Sequence, residues 1–222
     1  SWRTMQEQAQ LQLKAEPSAA PKSASATTER LALLYQGACA ALRLNDRASA
    51  AQLAAALHKA LPKTGQAGQQ AGSNASAAQV ERIVKLLDAD IASAQGQWPL
   101  VAQLSASRAD FYRPEFLLHT RALAEQGRAE LAAEQLQQWV AERPSDAGAW
   151  LALSQVDTRL GRTAQSVRAQ AEASVAHYDY GMALAYLRSA RNLQRQNLVE
   201  ASILDARIKE VEALQKWQDE SS

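Results

Sequence analysis

Two stretches of this chain align with each other at a spacing of 34 residues: Phe116 with Trp150, Gly127 with Gly161, and Ala132 with Ser166. A period of that length is one helix–turn–helix unit. Such a unit cannot bury its apolar face alone, so it stacks on its neighbours. The 47% apolar content leans on Ala and Leu, with few Gly and Pro and only two Phe. That composition favours helix over strand on intrinsic propensity. Spacing and composition together predict an all-α chain of stacked helical hairpins.

The unit that begins near Arg113 fits the tetratricopeptide pattern at six positions at once. Phe116 is its aromatic knob, Leu123 the mid-helix apolar residue, Gly127 the turn glycine, Ala132 and Leu136 the inter-helix contacts, and Pro144 the closing proline. A second unit follows with Trp150, Leu153, Leu160 and Gly161. Two positions depart from the pattern. Asp157 stands where an aromatic is usual, and bulky Trp139 replaces a small residue, which requires adjusted helix contacts. After a turn at Tyr178–Gly181, Ala183, Leu187 and Ala190 repeat the second-helix spacing of Ala132, Leu136 and Trp139, but 51 residues on, as though the stack continued in half-units.

Upstream the pattern is looser. Residues 1–27 read as an N-terminal helical segment, Trp2 to Lys14, followed by a Pro-, Ala- and Ser-rich linker. Residues 28–62 form a degenerate first hairpin, with Leu34, Gly37, Ala38, Ala50 and Leu57 at packing positions and Pro62 closing it. Residues 63–77 carry no hydrophobic period and read as a mobile loop. Residues 78–222 read as a helical-repeat array, starting with the amphipathic run Val80, Ile83, Val84, Leu87, Ile91. A helix from Leu198 to Trp217, with one-turn pairs such as Asp205 and Lys209, reads as a polar-faced cap.

The chain's chemistry is sparse. A formal net charge of +1 provides no field for nucleic acid or an anionic membrane. Arg188, Arg191 and Arg195 share a helix face, which without an aromatic platform reads as solvated. The lone Cys39 lies among small residues and reads as a packing residue. No run is long and apolar enough to span a membrane. His58, His119 and His177 stand far apart and cannot supply the one-turn pair of a helical zinc site. No catalytic residue, metal ligand or cofactor motif is assigned to this chain.

Arg168–Glu172, Tyr178–Leu184, Leu187–Arg191 and especially Glu200–Arg207 are more specific than a generic repeat. Over roughly residues 109–215 the chain resembles the C-terminal tetratricopeptide region of BepA-like periplasmic zinc metallopeptidases of Gram-negative bacteria. In that family zinc is bound by a His-Glu-x-x-His helix in a preceding catalytic domain, a motif this chain lacks. The resemblance implies a periplasmic, non-catalytic part of a longer metallopeptidase. It also implies contacts with its own protease domain, with client proteins, and with outer-membrane assembly machinery.

The first helix of each stacked hairpin lines the concave face. Counting from Arg113 and from Ala147, its outward positions are Leu117, Arg121, Glu125, Leu151, Gln155 and Arg159, and the first hairpin adds Tyr35 and Arg43. Apolar rungs flanked by arginines suit an extended or helical peptide of some acidic character. The bland reading stays open, in which Leu117 and Leu151 are covered by another part of the chain. Two other functions also stay open: a free-standing tetratricopeptide adaptor, and an oligomerisation scaffold.

Overall fold

The computed structural model describes residues 1–14, 24–61, 71–105, 112–194 and 196–221. These residues form helices and no strand, so the chain is all-α. A single helix, α1 (Trp2–Lys14), precedes five helix pairs. These are α2 (Ala24–Arg43) with α3 (Arg47–Ala60), α4 (Ala71–Ala94) with α5 (Trp98–Leu104), α6 (Arg113–Glu125) with α7 (Ala129–Glu142), α8 (Ala147–Arg159) with α9 (Thr163–Ala176), and α10 (Tyr180–Leu193) with α11 (Leu198–Glu220). The chain divides into two compact units, Ser1–Leu118 and His119–Ser222.

The hairpins reverse by one device. Asn45, Gly96, Gly127 and Gly161 follow the first helices of the first four pairs, and each has positive φ. The next residue's N–H then reaches back to a carbonyl in the last turn: Asp46 to Ala41 at 2.9 Å, Gln97 to Ala92 at 2.9 Å, Arg128 to Leu123 at 2.9 Å, and Arg162 to Asp157 at 2.8 Å. This is the Schellman closure, which satisfies carbonyls that the helix end leaves unpaired. The next helices begin on side-chain caps at several points. Asp46 accepts from Ser49 N–H, Asp146 from Ala149 N–H, Asp179 from Met182 N–H and Asn197 from Glu200 N–H. A cap of this kind contributes about 1 kcal/mol.

Alanine dominates the buried positions, which lets helix axes approach closely. Leu34, Leu53, Ala38, Ala41 and Leu87 form the core of the first unit. Tyr180, Leu184, Leu187, Leu204 and Val211 form a core in the second. Full burial of a leucine such as Leu53 or Leu187 contributes roughly 2 kcal/mol.

Four expectations need correction. First, α4 begins at Ala71, so the last seven residues of the expected 63–77 loop are helical, in keeping with the helix propensity of their alanines. Residues 62–70 lie outside the described residues. Second, α2 begins at Ala24, inside the expected linker. Third, α10 is the first helix of a full pair rather than part of a half-unit: its cap Asp179 follows Asp146 by 33 residues, one short of the 34-residue period, and α11 supplies its partner. Fourth, Asp205 pairs across the hairpin with Arg191 at 3.1 Å, and not with Lys209 on its own helix.

A Cβ added at Gly127 or Gly161 meets open space, so a side chain there costs only left-handed backbone strain. Gly127→Ala and Gly161→Ala should each lower unfolding free energy by about 1 kcal/mol, read from urea denaturation, with the helix content of the folded state unchanged.

Candidate protein-interaction surface

In the second unit the outward row is carried by α6 and α8. Arg121 on α6 and Leu151 and Gln155 on α8 are exposed, Leu151 at 44%. Glu125 and Arg159 have another task. The Arg159 guanidinium donates to the Ala124 carbonyl at 2.7 Å and to the Glu125 carboxylate at 2.8 Å. This clamp ties the end of α6 to the end of α8 and satisfies a helix-terminal carbonyl. The pair is a structural edge of the row, in which Leu151 and Gln155 are exposed.

The row does not extend to α10. Thirty-three residues after Leu151, the spacing of the caps Asp146 and Asp179, Leu184 occupies the corresponding position and is only 4% exposed, packed with Leu204 and Val211 of α11. Gln155 corresponds to Arg188, whose guanidinium donates to Glu212 of α11 at 2.8 Å. The expected solvated arginine face is therefore bound in part to carboxylates of the last helix. Arg195 lies outside the described residues.

The other predicted positions belong to the first unit. Leu117 is half-buried on α6. Tyr35 is half-buried against the first core. Burial first, then the neighbouring Cys39 thiol and the Asp90 carboxylate, push its phenol up to about 12. Arg43 lies under the ring of Trp2, 5.9 Å from its centroid, so α1 already occupies the outward side of that position.

Sequence reasoning did not find the pocket of about 340 Å³ in the first unit, lined by Glu81, Arg82, Lys85, Leu86, Gln103 and Glu115. Its wall is a two-point ion pair, with Arg82 Nε and Nη2 each 2.6 Å from a Glu115 oxygen. The partners sit on helices far apart in sequence, and no local spacing signals their meeting.

The histidines and the cysteine have structural surroundings. His58 Nε2 lies 2.9 Å from both Asp88 oxygens. His119 is half-buried, and its pKa is held below the usual value by burial first and by the Arg128 charge second. His177 ends α9 and is exposed. Burial pushes the Cys39 thiol up, away from the reactive thiolate. Among the described residues no three His, Cys, Asp or Glu side chains gather at one point. No described helix is long and apolar enough to cross a membrane.

The two departures from the repeat pattern are resolved differently. Trp139 is accommodated at the α7–α8 corner, where its indole N–H donates to Asp146 Oδ2 at 3.0 Å and the Arg143 guanidinium lies 4.1 Å from its ring centroid. Trp150 fastens the same corner by donating to the Pro144 carbonyl at 2.9 Å. Asp157 fares worse. It is 2% exposed, its Oδ1 accepts no hydrogen bond, and the nearest cation, Arg162 Nη1, is 3.8 Å away. Arg162 also binds Glu130. Burial raises the Asp157 pKa, Arg162 opposes the shift, and Glu130 adds to it.

A carboxyl whose folded pKa is raised favours the folded state while it is protonated. That contribution is complete below the unfolded pKa, about 3.9, and is lost as pH rises through the folded value. Asp157→Asn should therefore be more stable than the parent at pH 7 by about 1 kcal/mol, the cost of an unsatisfied buried group. The difference should close as pH falls toward 4, which thermal melts at a series of pH values would show.

No protein-family model matches this chain, and no curated protein matches it either.

Proposed function

We propose that this chain is a non-catalytic protein-interaction module, the tetratricopeptide region of a periplasmic zinc metallopeptidase. In this reading it holds client or partner proteins of outer-membrane assembly and quality control near a catalytic domain that carries the zinc. The observation that carries the binding role is the exposed Leu151, one turn from exposed Gln155 on α8, with exposed Arg121 on the preceding first helix, α6. An apolar rung with a cationic neighbour suits a peptide that has an apolar side chain and an acidic one. The metallopeptidase context rests on the resemblance through Glu200–Arg207.

That run has a packing role as well. Arg207 donates to both Glu172 oxygens, at 3.0 and 2.7 Å, and to Glu210 at 2.8 Å. Asp205 accepts from Arg191, and Ala201 and Leu204 are buried. The most specific part of the resemblance is thus the part that seats α11 on α9 and α10.

A second reading, self-association, is favoured by Val199, Ile203, Leu214 and Trp217, which stay exposed on one side of α11. Light scattering separates the two readings. A dimer that Trp217→Glu dissolves would favour self-association.

For the first reading, Arg121→Glu combined with Leu151→Asp should lower co-purification of outer-membrane assembly proteins from envelope extract by about tenfold or more, a loss of roughly 1.4 kcal/mol. Unchanged recovery would remove the row from the binding role.

A further inference from the structure

Helix α1 is seated on α2 and also touches α3. Its inner face is Gln6, Ala9, Gln10 and Leu13, one stripe at helical spacing. Ala9 is fully buried, in the same cluster as Leu34, Ala38, Ala41 and Leu53. It lies directly over Gly37, where any added Cβ would collide with the Ala9 methyl. The two helix backbones therefore approach to a distance that requires a residue without a side chain at Gly37 and a small one at Ala9. On either side of this contact a glutamine donates outward from α1. Gln6 Nε2 reaches Asp46 Oδ2 at 2.7 Å, and Gln10 Nε2 reaches Ser49 Oγ at 2.9 Å.

The receiving face is more demanding than its occupant. Asp46 uses Oδ1 to cap α3 through Ser49 N–H, which leaves Oδ2 turned toward α1. The bonds from Ser49, side chain first and then backbone, hold the Asp46 carboxyl below its usual range, so this oxygen presents full negative charge. What α1 offers in return is one fully buried side chain, an alanine, and two neutral amides. Leu13 adds a partly buried apolar contact with the core, whereas Met5 and Leu11 are exposed and Trp2, also exposed, meets Arg43 through its ring. A cationic donor in place of Gln6 would make a charge-assisted bond to Asp46 that the neutral amide cannot.

We propose that the α2–α3 face is a helix-receiving site and that α1 is its resident, exchangeable ligand. The partner it fits is an amphipathic helix with Lys or Arg at the Gln6 position, Gly, Ala or Ser at the Ala9 position, a donor next to that, and an apolar residue one turn on. α1 competes by being tethered, since a covalently joined segment has a high effective concentration at its site. The proposal deepens the interaction-module reading and rests on it. It concerns a different surface from the α8 row, and its test uses no client protein, so either can fail alone.

The test uses the full chain carrying Ala9→Trp, which drives α1 off Gly37 and leaves the receiving face intact, with a fluorescein-labelled peptide of residues 1–14 as probe. Fluorescence anisotropy should show saturable binding to Ala9→Trp and binding at least about tenfold weaker to the parent chain. Adding Gly37→Val to the variant should abolish it, and Gln6→Lys in the peptide should tighten it. Equal binding to parent and variant, or none to either, would overturn the proposal. So would a dimer of the parent chain that Ala9→Trp dissolves, because the trans occupant would then be α1 of a second copy. If circular dichroism shows that Ala9→Trp does not fold, Gln6→Glu replaces it, placing a carboxylate against Asp46, and the same outcomes apply.

Discussion

In each of the first four hairpins one residue after the first helix accepts left-handed backbone, and the reversal depends on it. An L-residue with a side chain resists that region by roughly 1–2 kcal/mol, which is why glycine fills it at Gly96, Gly127 and Gly161. Asn45 does so with a short polar side chain, and Tyr178, which turns α9 into α10, does so without that advantage. The reversal places the cap of the following helix one or two residues later, so the period of the fold is set at the turn. When the turn recurs after 34 residues, equivalent faces of α6 and α8 come out parallel, and Arg159 can reach Ala124 and Glu125.

Arginine then does across the repeats what the turns do within them. Arg159 joins α8 to α6, Arg162 joins the α8–α9 turn to α7, and Arg207 joins α11 to α9. Of these, the Arg207–Glu172 pair is the one to weigh most, because it is bidentate and Glu172 is only 11% exposed. Its hydrogen bonds hold the guanidinium pKa above the ordinary value. Exposed pairs such as Arg143 with Glu142 add little to stability. The charge pattern that looks like a solvated surface in the sequence is in good part a set of inter-helix ties.

The all-α class and the positions of α6 through α9 were legible because they rest on local chemistry: turn glycines and apolar spacing. Gly127 and Gly161 mark their turns as the 34-residue alignment requires. The α10–α11 pair is harder to read because the turn that leads into it uses Tyr178 where glycine is expected, and because its cap Asp179 carries no apolar spacing of its own. The outward row was legible as a face but not as a set of roles. Helical spacing brings Arg121, Leu151, Gln155 and Arg159 to the same side, yet it carries no information that Arg159 is consumed by a carbonyl one repeat away or that α11 covers Leu184. The seat of α1 was hidden for the same reason, since Gly37 and Ala9 are unremarkable until the helices meet.

The α8–α9 interface explains why a poor residue such as Asp157 is tolerable. Where the pattern has an aromatic, this pair of helices packs hydroxyls: Ser154 and Thr158 on α8 lie 2.9 and 2.7 Å from Ser166 Oγ, and Gln170 donates to Ser154 at 3.1 Å. Ser154 and Ser166 are buried, so each must find its partner, and only one register of α8 against α9 satisfies them. An aromatic knob would permit small slides at modest cost, whereas a buried hydroxyl network does not. The same carbonyl of Asp157 that accepts Arg162 N–H also fixes where α8 stops. Holding α8 at one register fixes where Leu151 and Gln155 are presented, and the desolvated carboxyl of Asp157 is the cost of building that interface from polar groups.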